Sequence, residues 1–244
     1  MWQGFHHELE CWHAAGLKPH LWLRDDDAVA PSLALDRLTA LAEKHYAPVL
    51  LAVVPHGAGT DLARDVAAHS VLRPCQHGFV HANHARAGEK KQELGPHRPL
   101  ADVLDQLADG RARLLDLFGG NLRPVLVPPW NRIDPALLPH LPGIGLHGLS
   151  TFGVPAQPAA GRLDSNVDIM DWHGTRGGFA AATLVPMLVR TLEIARENGG
   201  APVGILTHHL VHDEQAWSFL DALFAETGEC RWTSFEALAL QDHA

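Results

Sequence analysis

Short apolar runs alternate with longer amphipathic stretches along this chain. The apolar runs are typical of buried strands, and the stretches whose apolar residues recur every three to four positions are typical of helices. Strands are predicted at 20–24, 47–55, 70–78, 123–127, 145–151, 167–172 and 201–209. Helices are predicted at 32–45, 58–70, 100–120, 178–200 and 213–228, with a last short strand and helix over 230–240.

This order of elements predicts an α/β protein with parallel strands. Six or seven of these strands in one domain fit a barrel or a distorted barrel. No internal repeat and no break in composition divides the chain, so residues 1–244 are predicted to form one domain. Ser32 is the predicted N-cap of the first of these helices, and Thr60 or Asp61 caps the next.

Composition excludes several classes of protein. The formal net charge of -9 argues against a nucleic-acid-binding surface, and three widely spaced cysteines argue against a disulfide framework. No run is long enough to span a membrane. The first residues lack the basic and apolar segments of a signal peptide, so a cytoplasmic protein is expected. The composition does not predict an oligomeric state.

Histidine is unusually abundant, with eighteen residues. It is the commonest metal ligand and a frequent acid–base group. In a chain so rich in histidine, however, roughly one pair spaced i,i+4 is expected by chance. Two such pairs occur, His77 with His81 and His208 with His212. A histidine pair therefore needs support from other residues before it indicates a site.

That support comes from where the polar residues fall. Five polar clusters each follow a predicted strand, and in a parallel barrel these strand ends meet on one face. Chance abundance of histidine does not explain five clusters at such positions. The clusters are "DDDA" (25–28), "QHGFVHANH" (76–84), "PPWNR" (128–132), "DIMDWH" (168–173) and "THHLVHD" (207–213).

Three consecutive carboxylates, Asp25, Asp26 and Asp27, follow the first strand. Like charges repel, and buried carboxylates need a partner or a metal. His77 and His81 can face one metal ion, but "HGFVH" lacks the glutamate of the zinc-protease motif HExxH. A carboxylate from elsewhere must then supply the third ligand and the general base, and the aspartate triplet can provide both.

These clusters resemble, in order, the five motifs of the polysaccharide deacetylase superfamily, the NodB-homology fold of carbohydrate esterase family four. "RDDDA" is similar to T-F-D-D-G, with Asp26 and Asp27 as the matched pair and Asp25/Asp26 as the alternative register. The other four motifs are H-[ST]-x-x-H, R-x-P-x-G, D-x-x-D-W and L-x-H. Their counterparts begin at His77, Val127, Asp168 and Leu206. The resemblance covers about residues 20 to 235 and implies a distorted (β/α)7 barrel.

Two of these motifs depart from the family pattern. Glycine, at Gly78, replaces the small hydroxyl residue of the second motif. The arginine of the third motif is missing, so either Arg24 or Arg132 substitutes for it, or the base is held differently. Trp130 and Asn131 stand where the family has tyrosine and glycine, which suggests an altered pocket wall.

The resemblance implies hydrolysis with one divalent metal, zinc in the first place, with cobalt, nickel or manganese as alternatives. Asp27, His77 and His81 would hold the ion, and Asp26 would act as general base. The backbone N–H of Trp130 would stabilise the oxyanion. His208 would protonate the leaving amine, and Asp171 would orient His208 or pair with a cation. Residues expected to contact substrate are Asn131, Arg132, Trp172 and His209.

Three functions remain open on the sequence alone. The first is a deacetylase acting on a small N-acetylated sugar or glycan precursor. The second is a metal-dependent amidase acting on a non-sugar C–N bond, and the third is a sugar- or metal-binding protein that has lost catalysis. Asp25 is expected to be structural, as an ion-pair partner of Arg24 or a turn acceptor. The segments 82–99 and 152–166 are predicted surface loops that shape the substrate groove.

Overall fold

A computed structural model of the chain describes residues 1–153, 160–228 and 230–240. Seven α-helices and eight strands, numbered in chain order, alternate along these residues. The helices are α1 Gln3–Ala14, α2 Leu33–Lys44, α3 Thr60–Ala68, α4 Leu100–Phe118, α5 Ala181–Glu197, α6 Glu214–Glu226 and α7 Phe235–Ala239. The strands are β1 His20–Ala28, β2 Val49–Val53, β3 Leu72–His77, β4 Val125–Val127, β5 Gly148–Leu149, β6 Val167–Asp168, β7 Val203–Thr207 and β8 Arg231–Trp232.

All eight strands belong to one sheet, and each pairing between them is parallel. The strand order is β5-β4-β3-β2-β1-β7-β6, and β8 pairs with the first residues of β1. Beyond β5, parallel bridges from Leu149 to Arg162 and from Phe152 to Ser165 join that edge to the segment leading into β6. The sheet is thereby curled nearly into a barrel, as predicted.

The alternation of side chains along β1 determines what each face of the sheet receives. Leu21 and Leu23 pack into the main core, with helices on the convex side. Trp22 points the other way, into a smaller cluster of strand residues closed by Phe235 of α7. Because successive strand residues face opposite sides, Arg24 and Asp26 follow Trp22 into the barrel interior, whereas Asp25 faces outwards.

Several local expectations can be compared with the structure. Ser32 caps α2 as predicted, through a hydrogen bond from the Leu35 N–H to its hydroxyl. The N-cap of α3 is Gly59, which has no side chain to donate or accept, so the prediction of Thr60 or Asp61 was wrong. The predicted helix at 178–200 begins only at Ala181.

The predicted surface loops differ from expectation in one respect. In the segment 82–99, Glu93, Leu94 and Gly95 are buried, and Leu94 forms a bridge to Ile133. The loop is therefore anchored to the barrel near its end and is exposed only elsewhere. Residues 154–159 of the second predicted loop lie outside the described residues. No described helix has both the length and the apolar character needed to cross a membrane.

Candidate metal centre

One group of residues in the described part of the chain has the arrangement of a metal site: Asp27, His77 and His81. Asp27 is the penultimate residue of β1, His77 ends β3, and His81 lies on the turn that follows β3. One oxygen of Asp27, Oδ1, lies 3.1 Å from Nε2 of His77 and 3.2 Å from Nε2 of His81. Tetrahedral zinc with ligands at 2.0–2.1 Å separates its donor atoms by about 3.3 Å, so these spacings fit such an ion.

The hydrogen bonding of His77 also favours a cation between these groups. Its Nδ1 lies 2.9 Å from the carbonyl oxygen of Val127, which only accepts, so Nδ1 carries the proton. In the neutral ring, Nε2 then presents a lone pair to the carboxylate oxygen of Asp27. Two acceptors facing each other at 3.1 Å repel unless a proton or a metal ion lies between them. The bond to Val127 also orients the ring, as outer-shell partners of metal-bound histidines do.

The pKa values of these groups follow from the same contacts. Burial lowers the pKa of His77, but the charges of Asp26 and Asp27 and the hydrogen bond to Asp27 outweigh burial and leave that pKa raised. Burial raises the pKa of Asp27, but the hydrogen bond and charge of His77, with the charges of His208 and His81, together outweigh burial and hold that pKa well below its usual range. Burial and the neighbouring His77 lower the pKa of His81. Together the three groups form a site that attracts either a proton or a metal cation.

The backbone is strained around this cluster. Outside glycine, six described residues have positive φ, and four of them lie at this end of the barrel: Asp27, His81, Trp130 and Asn131. At Asp27 the strain coincides with a shift in the β1–β2 register between Asp25 and Ala28. This irregularity breaks the side-chain alternation of β1, so Asp27 can lie beside His77 although Asp26 faces the barrel interior. Such conformations are costly and concentrate at functional sites.

Asp26 is held by Arg24, two residues before it on the same face of β1. Both side chains are buried, with Nε of Arg24 3.0 Å from Oδ1 and Nη2 3.1 Å from Oδ2 of Asp26. The remaining guanidinium hydrogens go to Ser150 Oγ and the Thr151 carbonyl, each at 2.9 Å, and to Asn131 Oδ1 at 2.5 Å. Of the two arginines expected to substitute for the missing third-motif arginine, Arg24 contacts Asp26, whereas Arg132 bonds to the carbonyl of Lys91.

His208, directly after β7, also lies near Asp26. Its Nε2 is 3.9 Å from Oδ2 of Asp26. The indole of Trp172 packs edge-on against the His208 ring, with centroids 4.7 Å apart, and donates its N–H to Asp168. Burial raises the pKa of Asp168, which the charge of His208 opposes. Asp168 and Trp172 thus both lie beside His208.

Asp171 has a different environment from the one predicted. Its carboxylate accepts hydrogen bonds from the backbone N–H groups of Gly174 and Thr175, at 2.9 and 3.1 Å. These bonds shape the loop after β6 and leave the carboxylate engaged away from His208. The placement does not favour the predicted orienting role of Asp171, and Asp168 is the carboxylate of this motif that interacts electrostatically with His208.

Asp25 faces the outside of the barrel and is fully buried against the segment after β7. It accepts hydrogen bonds from the Thr207 hydroxyl, the His209 N–H and the His209 ring at Nδ1. Burial raises the pKa of Asp25, but His209, with the charge of His212 and the hydrogen bond from Thr207, outweighs burial and leaves that pKa lowered. Asp25 is structural as expected, yet its partner is His209 and not Arg24. Since His209 is also buried, its placement does not favour the predicted contact with substrate.

The other predicted pocket residues lie around the cluster. The Trp130 ring packs on His81 with centroids 4.3 Å apart, so it forms a wall beside the ligands. Asn131 accepts a hydrogen bond from Arg24, as described above, and so helps to orient the arginine that contacts Asp26. Arg132 donates to the carbonyl of Lys91 at 2.8 Å and so ties the 82–99 segment to the barrel. Trp130 and Trp172 are the predicted pocket residues best placed to meet a substrate.

His212, four residues after His208, makes the second histidine pair structural. Its Nε2 accepts the backbone N–H of His208 at 3.2 Å, and its ring packs edge-on against Trp217. It belongs to no metal-like group among the described residues. Of the two histidine pairs, His208 with His212 is therefore the one to be expected by chance. His212 serves to hold the backbone that carries His208.

Acidification is expected to destabilise the protein through His212. Burial lowers the pKa of His212 to about 4, whereas an unfolded histidine titrates near ~6.5. On acidification the unfolded chain takes up the proton first. The contribution of neutral His212 to the free energy of unfolding is therefore complete above about pH 6.5 and is lost as the pH falls towards 4, by up to about 3 kcal/mol. Urea unfolding between pH 7 and 4 should show a smaller loss in His212→Gln than in the wild type. The exposed His13, changed to glutamine, serves as control, and equal losses in all three would contradict the prediction.

Three site residues were not predicted from the sequence. Glu93, in a segment predicted to be a surface loop, accepts backbone hydrogen bonds from the turn between the two histidines. Ser150 and Thr151 position Arg24 from the strand end opposite it. The sequence gives one indication of Ser150 and Thr151, since both lie at the end of the predicted fifth strand, 145–151. Nothing local distinguishes Glu93 from other carboxylates of its loop.

Comparisons by sequence found no matching family model and no matching curated protein. Solved structures do match. A family 4 carbohydrate esterase from Streptomyces lividans, in complex with acetate, superposes with a TM-score of 0.60 at 14% identity, over 87% of this chain and 91% of that one. A carbohydrate esterase family four enzyme from Streptococcus mutans has a TM-score of 0.63 at 14% identity, over 93% and 89%.

A third match is a pseudoenzyme of the same family from Bacillus anthracis, with a TM-score of 0.63 at 13% identity, over 91% of this chain and 66% of that one. The predicted fold is thus confirmed: this chain has the distorted (β/α)7 barrel of the carbohydrate esterase family four polysaccharide deacetylases. Because that fold also occurs in a protein described as a pseudoenzyme, the function of this chain has to be argued from its own residues.

Proposed function

We propose that this chain, with its polysaccharide deacetylase fold, is a metal-dependent hydrolase that removes the acetyl group from an N-acetylated sugar or glycan precursor. One observation carries the proposal. The ligand-like cluster of Asp27, His77 and His81 lies next to a second carboxylate, Asp26, which is held by Arg24 and faces His208. Metal ligands, base and acid are the groups that amide hydrolysis of this kind requires.

Each group has a role that follows from its position. Asp27, His77 and His81 would hold one divalent ion, which in such sites makes a bound water acidic and polarises the acetyl carbonyl. Asp26, fixed by two contacts to Arg24, would accept the proton of the attacking water. His208, on the other side, would donate a proton to the leaving amine. The backbone N–H of Trp130 would donate to the oxyanion.

Two observations support an acetylated sugar as substrate. The S. lividans structure with the same fold contains acetate, the product that the proposed reaction would release. The indoles of Trp130 and Trp172 lie beside His81 and His208, on two sides of the candidate site, and aromatic rings of this kind pack against apolar faces of ligands.

The second candidate function is metal binding without turnover, favoured by the pseudoenzyme among the structural matches. The presence in this chain of a separate carboxylate for the base and a histidine for the acid supports catalysis instead. Acetate release separates the two candidates directly, because both predict a bound metal and only one predicts product.

The test combines metal analysis with an acetate assay. The purified protein is expected to bind about one divalent metal per chain and, so loaded, to release acetate from N-acetylated amino sugars. Asp27→Ala and His77→Ala should each lose most of the bound metal, because each removes one of three ligands. His13→Ala removes an exposed histidine and should leave metal content unchanged, which controls for adventitious binding by a histidine-rich chain.

Two results would contradict the proposal. Unchanged metal content in both Asp27→Ala and His77→Ala would exclude this cluster as the metal site. Full metal content with no acetate release from any N-acetylated amino sugar would favour the binding protein over the enzyme.

A further inference from the structure

A buried carboxylate, that of Glu93, lies beneath the turn that joins His77 to His81. Its two oxygens accept hydrogen bonds from consecutive backbone amides: Oε2 from Phe79 at 3.0 Å and Oε1 from Val80 at 2.8 Å. Glu93 has no solvent-accessible surface, and it forms no ion pair with any described residue. A carboxylate in that situation depends on its hydrogen bonds for stability.

The turn depends on Glu93 in return. Residues 78–81 belong to no helix or strand, so the amides of Phe79 and Val80 have no regular backbone partner. Phe79 is half-buried and Val80 is exposed, so these two bonds serve mainly to hold the turn in one conformation. Gly78 and His81, at the two ends of the turn, both have positive φ, at +53° and +58°. A turn bent in this way needs an external contact to keep one conformation.

The carboxylate of Glu93 occupies the space that a side chain at position 78 would need, so only glycine fits there. A Cβ atom on Gly78 would lie 2.0 Å from Oε2 of Glu93 and 2.6 Å from Cγ of Pro129. The related motif carries a serine or threonine at this position. In this chain the side chain is absent, and a carboxylate from another segment fills the space beside it.

Glu93 itself stands on a fixed backbone. The next residue, Leu94, is buried in a cluster with α4 and accepts the N–H of Asp134 at 2.7 Å. Arg98 donates to the carbonyl of Glu93 at 3.3 Å. The backbone of Glu93 is therefore held against the barrel, and the carboxylate in turn holds the turn that carries His81.

We infer that Glu93 is a positioning residue for the metal centre: it fixes the turn between His77 and His81 and thereby sets the direction of His81. This inference rests on the proposed metal site. Glu93 then fills the space left where Gly78 replaces the hydroxyl residue, so a change at either position should affect the other. Glu93 makes hydrogen bonds to the backbone of the turn and none to the side chains of His77 or His81, although its charge also acts to raise the pKa of His81, which burial lowers.

The test is titration with Co²⁺, whose visible absorption reports its coordination geometry. In Glu93→Gln, which preserves size but replaces one acceptor oxygen by an N–H₂ group facing a backbone N–H, the dissociation constant for Co²⁺ is expected to rise about 10- to 100-fold. The spectrum of the bound ion is also expected to change. Glu93→Ala should give a loss at least as large. The matched control is Glu89→Gln, an exposed carboxylate of the same segment, which should leave affinity and spectrum unchanged.

The outcomes separate this inference from the proposed function. Unchanged Co²⁺ affinity and spectrum in folded Glu93→Gln would overturn the inference, as would a loss of thermal stability of the metal-free protein without any spectral change. If Glu93→Ala does not fold, Glu93→Gln decides. A wild-type protein that binds no Co²⁺ would overturn the proposed function and this inference together. A wild type that binds Co²⁺ and releases no acetate would overturn only the proposed reaction.

Discussion

Changing Asp26 to asparagine is expected to lower the rate of acetate release by about 10²- to 10⁴-fold while the metal remains bound. The magnitude is that of a lost general base. Asparagine has the shape of aspartate but cannot accept the proton of the attacking water. Asp26 is not one of the three clustered ligands, so the ion should be retained. Metal analysis and acetate release on the same sample measure both halves of the prediction.

Asp25→Asn tests the alternative register of the aspartate triplet. Asp25 faces away from the barrel interior and is bonded to Thr207 and His209, so its replacement should lower stability and leave the mechanism intact. Asp61→Asn, an exposed carboxylate, controls for the loss of one negative charge. Acetate release that is metal-dependent and survives both Asp26→Asn and Asp25→Asn would show that the base is another group.

Changing Arg24 to methionine is expected to lower the free energy of unfolding by about 3–5 kcal/mol. That is the usual cost of removing one partner from a buried ion pair, because the other charge stays buried and unpaired. The substitution also removes the hydrogen-bond donor of three acceptors: Ser150, Thr151 and Asn131. Urea unfolding at neutral pH measures the change.

The double variant Arg24→Met with Asp26→Asn shows whether the unpaired charge is the cause. It should be more stable than Arg24→Met alone, because no buried charge is left without a partner. Arg64→Met removes an arginine from an exposed pair with Asp61 and should cost no more than about 1 kcal/mol. A loss in Arg24→Met as small as that in Arg64→Met would contradict the importance assigned to the buried pair.

The candidate site was predictable in its parts because each part is a short polar cluster at the end of an apolar strand. The three clustered ligands, the second carboxylate and His208 all lie in such clusters, and strand ends of a parallel barrel meet on one face. The sequence left the register of Asp25, Asp26 and Asp27 open. The structure favours Asp26 inside and Asp27 beside His77, because strand alternation places Asp26 with Arg24 and the irregularity after Asp25 turns Asp27.

The supporting residues could not be predicted because their partners are distant along the chain. Arg24 and Arg132 were both candidates to replace the missing arginine, and only Arg24 contacts Asp26. The residues that orient Arg24 there are distant along the chain: Ser150, Thr151 and Asn131. Asp171 and Asp168 are both aspartates of one motif, and the sequence does not distinguish them. In the structure, backbone N–H groups of the loop after β6 bond to Asp171, whereas Asp168 interacts electrostatically with His208. Pairwise contacts of this kind leave no periodic pattern in the sequence.

The sequence by itself determined the parallel α/β architecture, the order of the five polar clusters and the types of residue available for chemistry. Those properties depend on local periodicity and on which residues follow each strand, and both are written along the chain. Only the tertiary structure decided which carboxylate pairs with Arg24, which one meets the histidines, and that Glu93 supports the turn between them. Arg24 and Asp26 are only two residues apart, but Arg24 is oriented by a bond to Thr151, 127 residues away. Asp27 meets His77 across 50 residues, and Glu93 meets the Phe79 amide across 14. Burial makes an unpaired charge costly enough to select a single partner among such distant groups.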